Sequence, residues 1–323
     1  MGALSLASTA FARPLRDVHG DTPAPETSSD DGEPKSKVRD SETAAIGTTF
    51  ELGLEHAPFP DTSGKYTDDT VMVFVPSHFR LAGDKKIDFV VHFHGHNSSA
   101  KDVIGGHKLR DQVHDSHQNA VLVVPQGPVN AADGDFGKLM RKGGLGKLLG
   151  EVREVLTSKK VSSKLGHASL HGAKGSGRVI LTSHSGGYHA AAVNVDGSGV
   201  EVREVYLFDS LYDDVATFRE WVNDSPKHHK LVSYYIGGKT LEKSLELAKA
   251  LEDDGIDVAR EEGDERISRG ELTKARGVFL VGKTNHYSAC YDEHPLRECL
   301  LASCLHSSGG GSWLKHKDAP RAT

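Results

Sequence analysis

Short apolar runs with almost no polar alternation recur through the middle of this chain, at residues 87–93 (IDFVVHF), 120–124 (AVLVV), 178–182 (RVILT), 202–208 (VREVYLF), 231–236 (LVSYYI) and 277–281 (GVFLV). Runs of this length suit strands, and a strand without alternation is buried on both faces. Helical patterns separate them, at 145–157, 187–195, 215–222, 240–251 and 295–303. In the first of these, apolar residues at 145, 148, 149, 152, 155 and 156 follow a period close to 3.6. Strand and helix alternating through right-handed crossovers predict an α/β fold: a doubly wound, mostly parallel sheet with helices on both faces. Two earlier runs, 48–54 and 70–75, flank a stretch rich in Pro, Gly and Asp, which predicts antiparallel strands at the N-terminal edge.

The ends of the chain have a different composition. Residues 3–12 (ALSLASTAFA) are small and apolar and close on an Ala-x-Ala pattern at Ala10, Phe11 and Ala12. That pattern predicts a signal-peptide remnant over 1–12 and a secreted or periplasmic protein. If it is a coincidence of composition, the expectation is a cytoplasmic one. Residues 13–45 carry five basic and eight acidic side chains and four prolines, and read as a disordered acidic linker. The SSGGGS stretch at 307–312 predicts a flexible tail over 306–323, leaving 46–305 as the folded domain. With 39 basic against 45 acidic residues, the formal charge of −6 argues against a nucleic-acid binder. No stretch reaches the ~18–20 apolar residues that a membrane-spanning helix needs.

In doubly wound sheets, reactive groups sit where strands end. The 178–182 run leads into Ser183-His184-Ser185-Gly186-Gly187, followed by an Ala-rich helical pattern. Strand, tight small-residue turn and helix, with Ser185 at the apex, resemble the nucleophile elbow of the α/β-hydrolase superfamily, whose motif is G-x-S-x-G. Small residues are needed there because strand and helix pass too close for larger ones. Ser183 departs from the motif's first glycine. The resemblance covers about residues 70–303 through motifs and strand rhythm.

It implies further residues. The superfamily commonly carries His-Gly after its third strand, matched here by His94-Gly95 after the 87–93 run. The implied oxyanion donors are the N–H groups of His96 and Gly186. The general base is expected just past the last strand, where His286 lies. The acid is expected at a strand end between serine and histidine. The 231–236 run ends in Gly237-Gly238-Lys239-Thr240 with no carboxylate, whereas the 202–208 run ends at Asp209, with Asp213 as the alternative. The chain order Ser185, Asp209, His286 agrees with the superfamily.

Competing patterns need weighing. His92, His94 and His96 alternate, so in an extended strand they would share a face and could hold a metal for a metal-dependent hydrolase, with His286, Asp209 or Asp213 as further ligands. Residues 277–284 (GVFLVGKT) satisfy the phosphate-loop pattern literally, but the variable positions are the strand itself, so nucleotide binding is discounted. The loop at 125–137, with Asn130, Asp133 and Asp135, is expected to line the cleft. Cys290, Cys299 and Cys304 allow at most one disulfide, to Cys304 from either of the others. The expected function is a monomeric serine hydrolase without cofactor or metal, cleaving a small-molecule or polymer carboxylic ester through Ser185, His286 and Asp209. Amide or peptide cleavage on the same triad, and an inactive binding protein of the same fold, are the alternatives.

Overall fold

In the computed structural model, residues 37–131, 134–309 and 313–321 are described. The expected signal remnant over 1–12 lies outside them. Ten strands form one sheet: β1 (Val38–Ala44), β2 (Gly47–Gly53), β3 (Thr70–Pro76), β4 (Lys86–Phe93), β5 (Ala120–Pro125), β6 (Gly175–His184), β7 (Glu201–Phe208), β8 (Lys230–Tyr235), β9 (Val258–Arg260) and β10 (Gly277–Val281). Their spatial order is β1-β2-β3-β5-β4-β6-β7-β8-β10-β9. The pairs β1–β2, β2–β3 and β3–β5 are antiparallel, and every later pair is parallel. The apolar runs thus become the strands expected of them, with the antiparallel edge at the N-terminal side.

The helices are α1 (Ala100–Gly106), α2 (Leu109–Asp115), α3 (Gly144–Thr157), α4 (Lys159–Lys164), α5 (Tyr188–Gly197), α6 (Val215–Asp224), α7 (Gly238–Asp253), α8 (Arg269–Lys274) and α9 (Pro295–Leu301). Alternate side chains of each central strand enter opposite cores. Phe89, Val91 and Phe93 of β4 pack with α3, α5, α6 and α7, whereas Val90 packs with α1, α2, α8 and α9. Unbroken apolar runs are required for this reason: each position from Phe89 to Phe93 of β4 is buried beneath one helix layer or the other. Each fully buried Val, Leu or Phe contributes roughly 1.5–3 kcal/mol. Among the described residues, no helix is long and apolar enough to cross a membrane.

Two boundaries differ from expectation. The linker expected over 13–45 overlaps β1, which pairs with β2 along Val38–Ala44. VRDSETA has almost no apolar side chain, and a solvent-facing edge strand needs none, because backbone pairing and charges such as Lys37–Glu151 at 2.8 Å hold it. The tail expected to be flexible over 306–323 is anchored where it is described. Arg321 is buried, its Nε and Nη2 donating to Glu261 at 2.6 and 2.9 Å, and its backbone N–H bonds Ile267 O at 3.0 Å. The buried ion pair to Glu261 fixes this end of the chain against the sheet. The VFLV of the phosphate-loop lookalike is the interior of β10, followed by a 3₁₀ turn rather than a helix.

Candidate active site

Ser185 follows β6 directly. Its φ is +52°, in the left-handed region that costs a non-glycine residue about 1–3 kcal/mol, and a 3₁₀ turn, Ser185–Gly187, leads into α5. Crowding accounts for the neighbouring glycines. A Cβ on Gly187 would meet Phe93 O at 2.4 Å, and one on Gly95 would meet Ser185 Cβ at 2.7 Å. The loop after β4 therefore lies against the serine itself. Ser183, where the motif has glycine, is fully buried with its hydroxyl satisfied. Ser210 Oγ donates to Ser185 O at 2.7 Å, and Ser183 Oγ in turn donates to Ser210 Oγ at 2.7 Å. The departure from the motif has become a brace under the turn.

His286 begins the 3₁₀ turn after β10, capped by the Asn285 side chain. Its Nε2 is 3.0 Å from Ser185 Oγ and its Nδ1 is 2.6 Å from Asp209 Oδ2. Asp209 stands at the end of β7 with φ +43°. Its Oδ1 accepts the Ile236 N–H at 3.2 Å and the Thr240 hydroxyl. Burial pushes this carboxyl's pKa up, but the hydrogen bonds from His286, Thr240 and Ile236 outweigh that and hold it below the ordinary carboxylate value. Asp213 does not join this group. It is exposed and lies with Asp214 at the start of α6, where its Oδ1 accepts the Asp214 N–H at 3.0 Å.

The three alternating histidines do not converge, because β4 ends at Phe93 and the alternation ends with it. His94 is buried, and both its ring nitrogens are used: Nε2 accepts the Gly127 N–H at 2.8 Å, so Nδ1 carries the proton and donates to Gly95 O at 2.9 Å. Burial pulls its pKa down to about 4, so it stays neutral and pins the loop. His96 is exposed, and the next N–H, of Asn97, bonds Val129 O at 2.7 Å. Gly186 lies in the first turn of its 3₁₀ helix, where N–H groups lack intrahelical partners. The loop at 125–137 does reach the site, since a Cβ on Gly134 would fall 2.0 Å from Gly186 O. Asp133 lies outside the described residues; Asp135 caps its own turn through Gly137 N–H at 3.0 Å. None of the three cysteines is bridged.

Sequence reasoning missed several supporting groups. His184, directly before the serine, donates from Nε2 to His286 O at 2.8 Å and stacks on the His286 ring at 4.8 Å. Burial lowers its pKa to about 4. Tyr212 stands edge-on to His286 at 6.4 Å, and Tyr287 is 80 % exposed beside it. The only trace of His184 in the sequence is its place inside the serine turn; Thr240 and Ser210 have none, since hydroxyls are common in loops.

No protein-family model matches the sequence, and no curated protein matches it. Among the solved structures that are similar, each at 13 % identity, are a ferulic acid esterase, covering 72 % of this chain and 92 % of that one with a TM-score of 0.45, and an alpha/beta hydrolase enzyme from a Medee basin deep-sea metagenome library, covering 64 % and 80 % with a TM-score of 0.32. The strand order, the helices on both faces and the left-handed serine between β6 and α5 give this chain the α/β-hydrolase fold.

Proposed function

We propose that this protein is a serine hydrolase that cleaves a carboxylic ester through an acyl-enzyme on Ser185. The observation that carries this is the unbroken hydrogen-bonded path from Ser185 Oγ through both nitrogens of His286 to Asp209, with bonds of 3.0 and 2.6 Å. Asp209 accepts from Nδ1–H, which leaves the Nε2 lone pair facing the hydroxyl. His286 takes the Ser185 proton as Oγ attacks the ester carbonyl, and the imidazolium that forms is stabilised by the Asp209 carboxylate. The tetrahedral oxyanion is received by the N–H groups of His96 and Gly186, each such donor contributing about 3–4 kcal/mol. His286 then protonates the leaving alcohol. Water repeats the sequence from the acyl side and releases the acid.

The test is labelling by a fluorophosphonate probe, followed by turnover of an ester chain-length series. Wild type should label at one serine and Ser185→Ala should not. Equal labelling of the two proteins rejects Ser185 as nucleophile. Labelling without turnover of any ester would leave amide substrates as the reading to pursue.

A further inference from the structure

Beside the Ser185–His286 pair, under α1, α2 and α9, three side chains converge that the hydrolytic reaction does not use. His92 on β4, His107 just after α1 and Cys290 four residues past His286 each bring one ligand atom within 4.8 Å of the other two. His92 and Cys290 are fully buried. His92 Nε2 and His107 Nδ1 are buried without a hydrogen-bond partner among the described residues, a state that ordinarily costs 1–3 kcal/mol for each such group.

Thr182 Oγ1 lies 2.8 Å from His92 Nδ1 and 3.3 Å from Val91 O. With the Thr182 proton on Val91 O, the hydroxyl accepts from His92 Nδ1–H. That tautomer leaves the lone pair on Nε2, the ring nitrogen that is buried without a hydrogen-bond partner. Metal-ligating histidines are held in this way, with the second nitrogen donating to a fixed acceptor. Two of the three backbones are also clamped together. Buried Gln112 donates from Nε2 to His107 O at 3.0 Å and to Cys290 O at 2.7 Å.

We propose that His92, His107 and Cys290 form a buried site for one Zn²⁺ ion. Two imidazole nitrogens and one sulfur select a borderline-soft transition metal over calcium or magnesium, which require oxygen ligands. Binding forms two N–Zn bonds and one S–Zn bond, and the Cys290 thiol proton passes to solvent. No electron is transferred. The ligand atoms draw together by up to about 1.4 Å to reach the tetrahedral spacing that Zn–N distances near 2.0–2.1 Å and Zn–S near 2.3 Å impose. His107, which is only partly buried, is the way in. The ion ties β4 and the end of α1 to the segment that carries His286.

The experiment titrates the reduced, metal-free, full-length protein with Co²⁺ under anaerobic conditions. The expected result is one equivalent bound, with a thiolate-to-Co²⁺ charge-transfer band that Zn²⁺ abolishes. Cys290→Ser should lose the band, and Thr182→Val, which removes the His92 acceptor at near-constant shape, should weaken binding by roughly 10–100-fold. A Zn²⁺-dependent rise in Tm, present in wild type and absent in Cys290→Ala, gives a second readout on folded protein. The proposal is overturned if wild type shows no charge-transfer band, or if the variants bind as wild type does. The latter would assign the metal to other histidines, such as the His78, His114 and His117 group, whose rings lie 5.3–6.1 Å apart. Fluorophosphonate labelling of Ser185 is read separately, so either proposal can fail alone.

Discussion

Asp209 divides its carboxylate between two sets of donors. Oδ1 takes the Ile236 N–H and the Thr240 hydroxyl, which fixes the plane of the group and leaves Oδ2 for His286. Replacement by Asn puts an amide in this acceptor-only setting. Whichever way it turns, either its NH₂ meets a donor or the histidine tautomer is lost. Asp209→Asn should cut kcat by about 10⁴-fold, the loss that follows when the orienting acid is removed from such a triad. Asp213→Asn, on the surface, should change it by no more than roughly twofold. Steady-state turnover of a single ester decides between them, and comparable losses in the two variants would remove Asp209 from its assigned role. Ser183 makes a second residue-scale case. Ser183→Gly restores the motif's glycine but deprives Ser210 Oγ of its donor, at a cost of about 1 kcal/mol in stability. Denaturant midpoints should fall while the labelling rate of Ser185 holds. A collapse of labelling at unchanged stability would mean that the hydroxyl acts on the nucleophile directly.

At the scale of elements, what could be read from sequence tracks what each element buries. The strands from β3 to β8, with β10, carry unbroken apolar runs because both their faces are covered, and two-sided burial leaves a signal in composition. β1 and the three-residue β9 are edge strands held by backbone pairing, so VRDSETA reads like linker. The same division holds in the site. The meeting of Ser185, Asp209 and His286 could be expected because each is a reactive side chain at a strand end. Thr240 and Ser210 were not, since their roles depend on contacts between segments that only the folded sheet brings together. The β4 loop shows how tightly those segments meet. With a Gly95 Cβ 2.7 Å from Ser185 Cβ, Gly95→Ala must push either the loop or the serine aside. Neither can yield cheaply, since His94 bonds both Gly95 O and Gly127 N–H, and Ser185 already holds a strained φ. Displacing a reacting group by about 1 Å can cost 10²-fold in rate. Gly95→Ala should therefore lower kcat/KM by about that factor and lower Tm with it, and wild-type kinetics would show that the loop does not touch the reaction.

Across the whole molecule, the C-terminal segment closes the far edge of the sheet through charge. Glu261, at the end of β9, is buried and receives Arg321 from the tail and Arg266 at 2.7 Å from the following loop. Gly/Ser composition at 307–312 predicted a free tail because composition cannot register one distant carboxylate. Burial alone would raise the Glu261 pKa, but the two guanidinium groups outweigh it and hold the carboxyl below its ordinary value. A depressed folded-state pKa contributes stability in full above the unfolded value, near 4.3, and loses it as pH falls through the folded value. Arg321→Ala removes the bidentate partner and leaves Arg266, so part of the burial cost goes unopposed. The expected loss at pH 7 is about 3 kcal/mol, the lower end for breaking a buried pair. The Glu261 carboxyl should then titrate at higher pH in the variant than in wild type. Thermal melts from pH 7 to pH 3 should show the variant less stable at neutrality. The gap should narrow below about pH 4, where wild type surrenders the same interaction. Coincident melting curves at pH 7 would mean that Arg321 sits beside Glu261 without holding the tail.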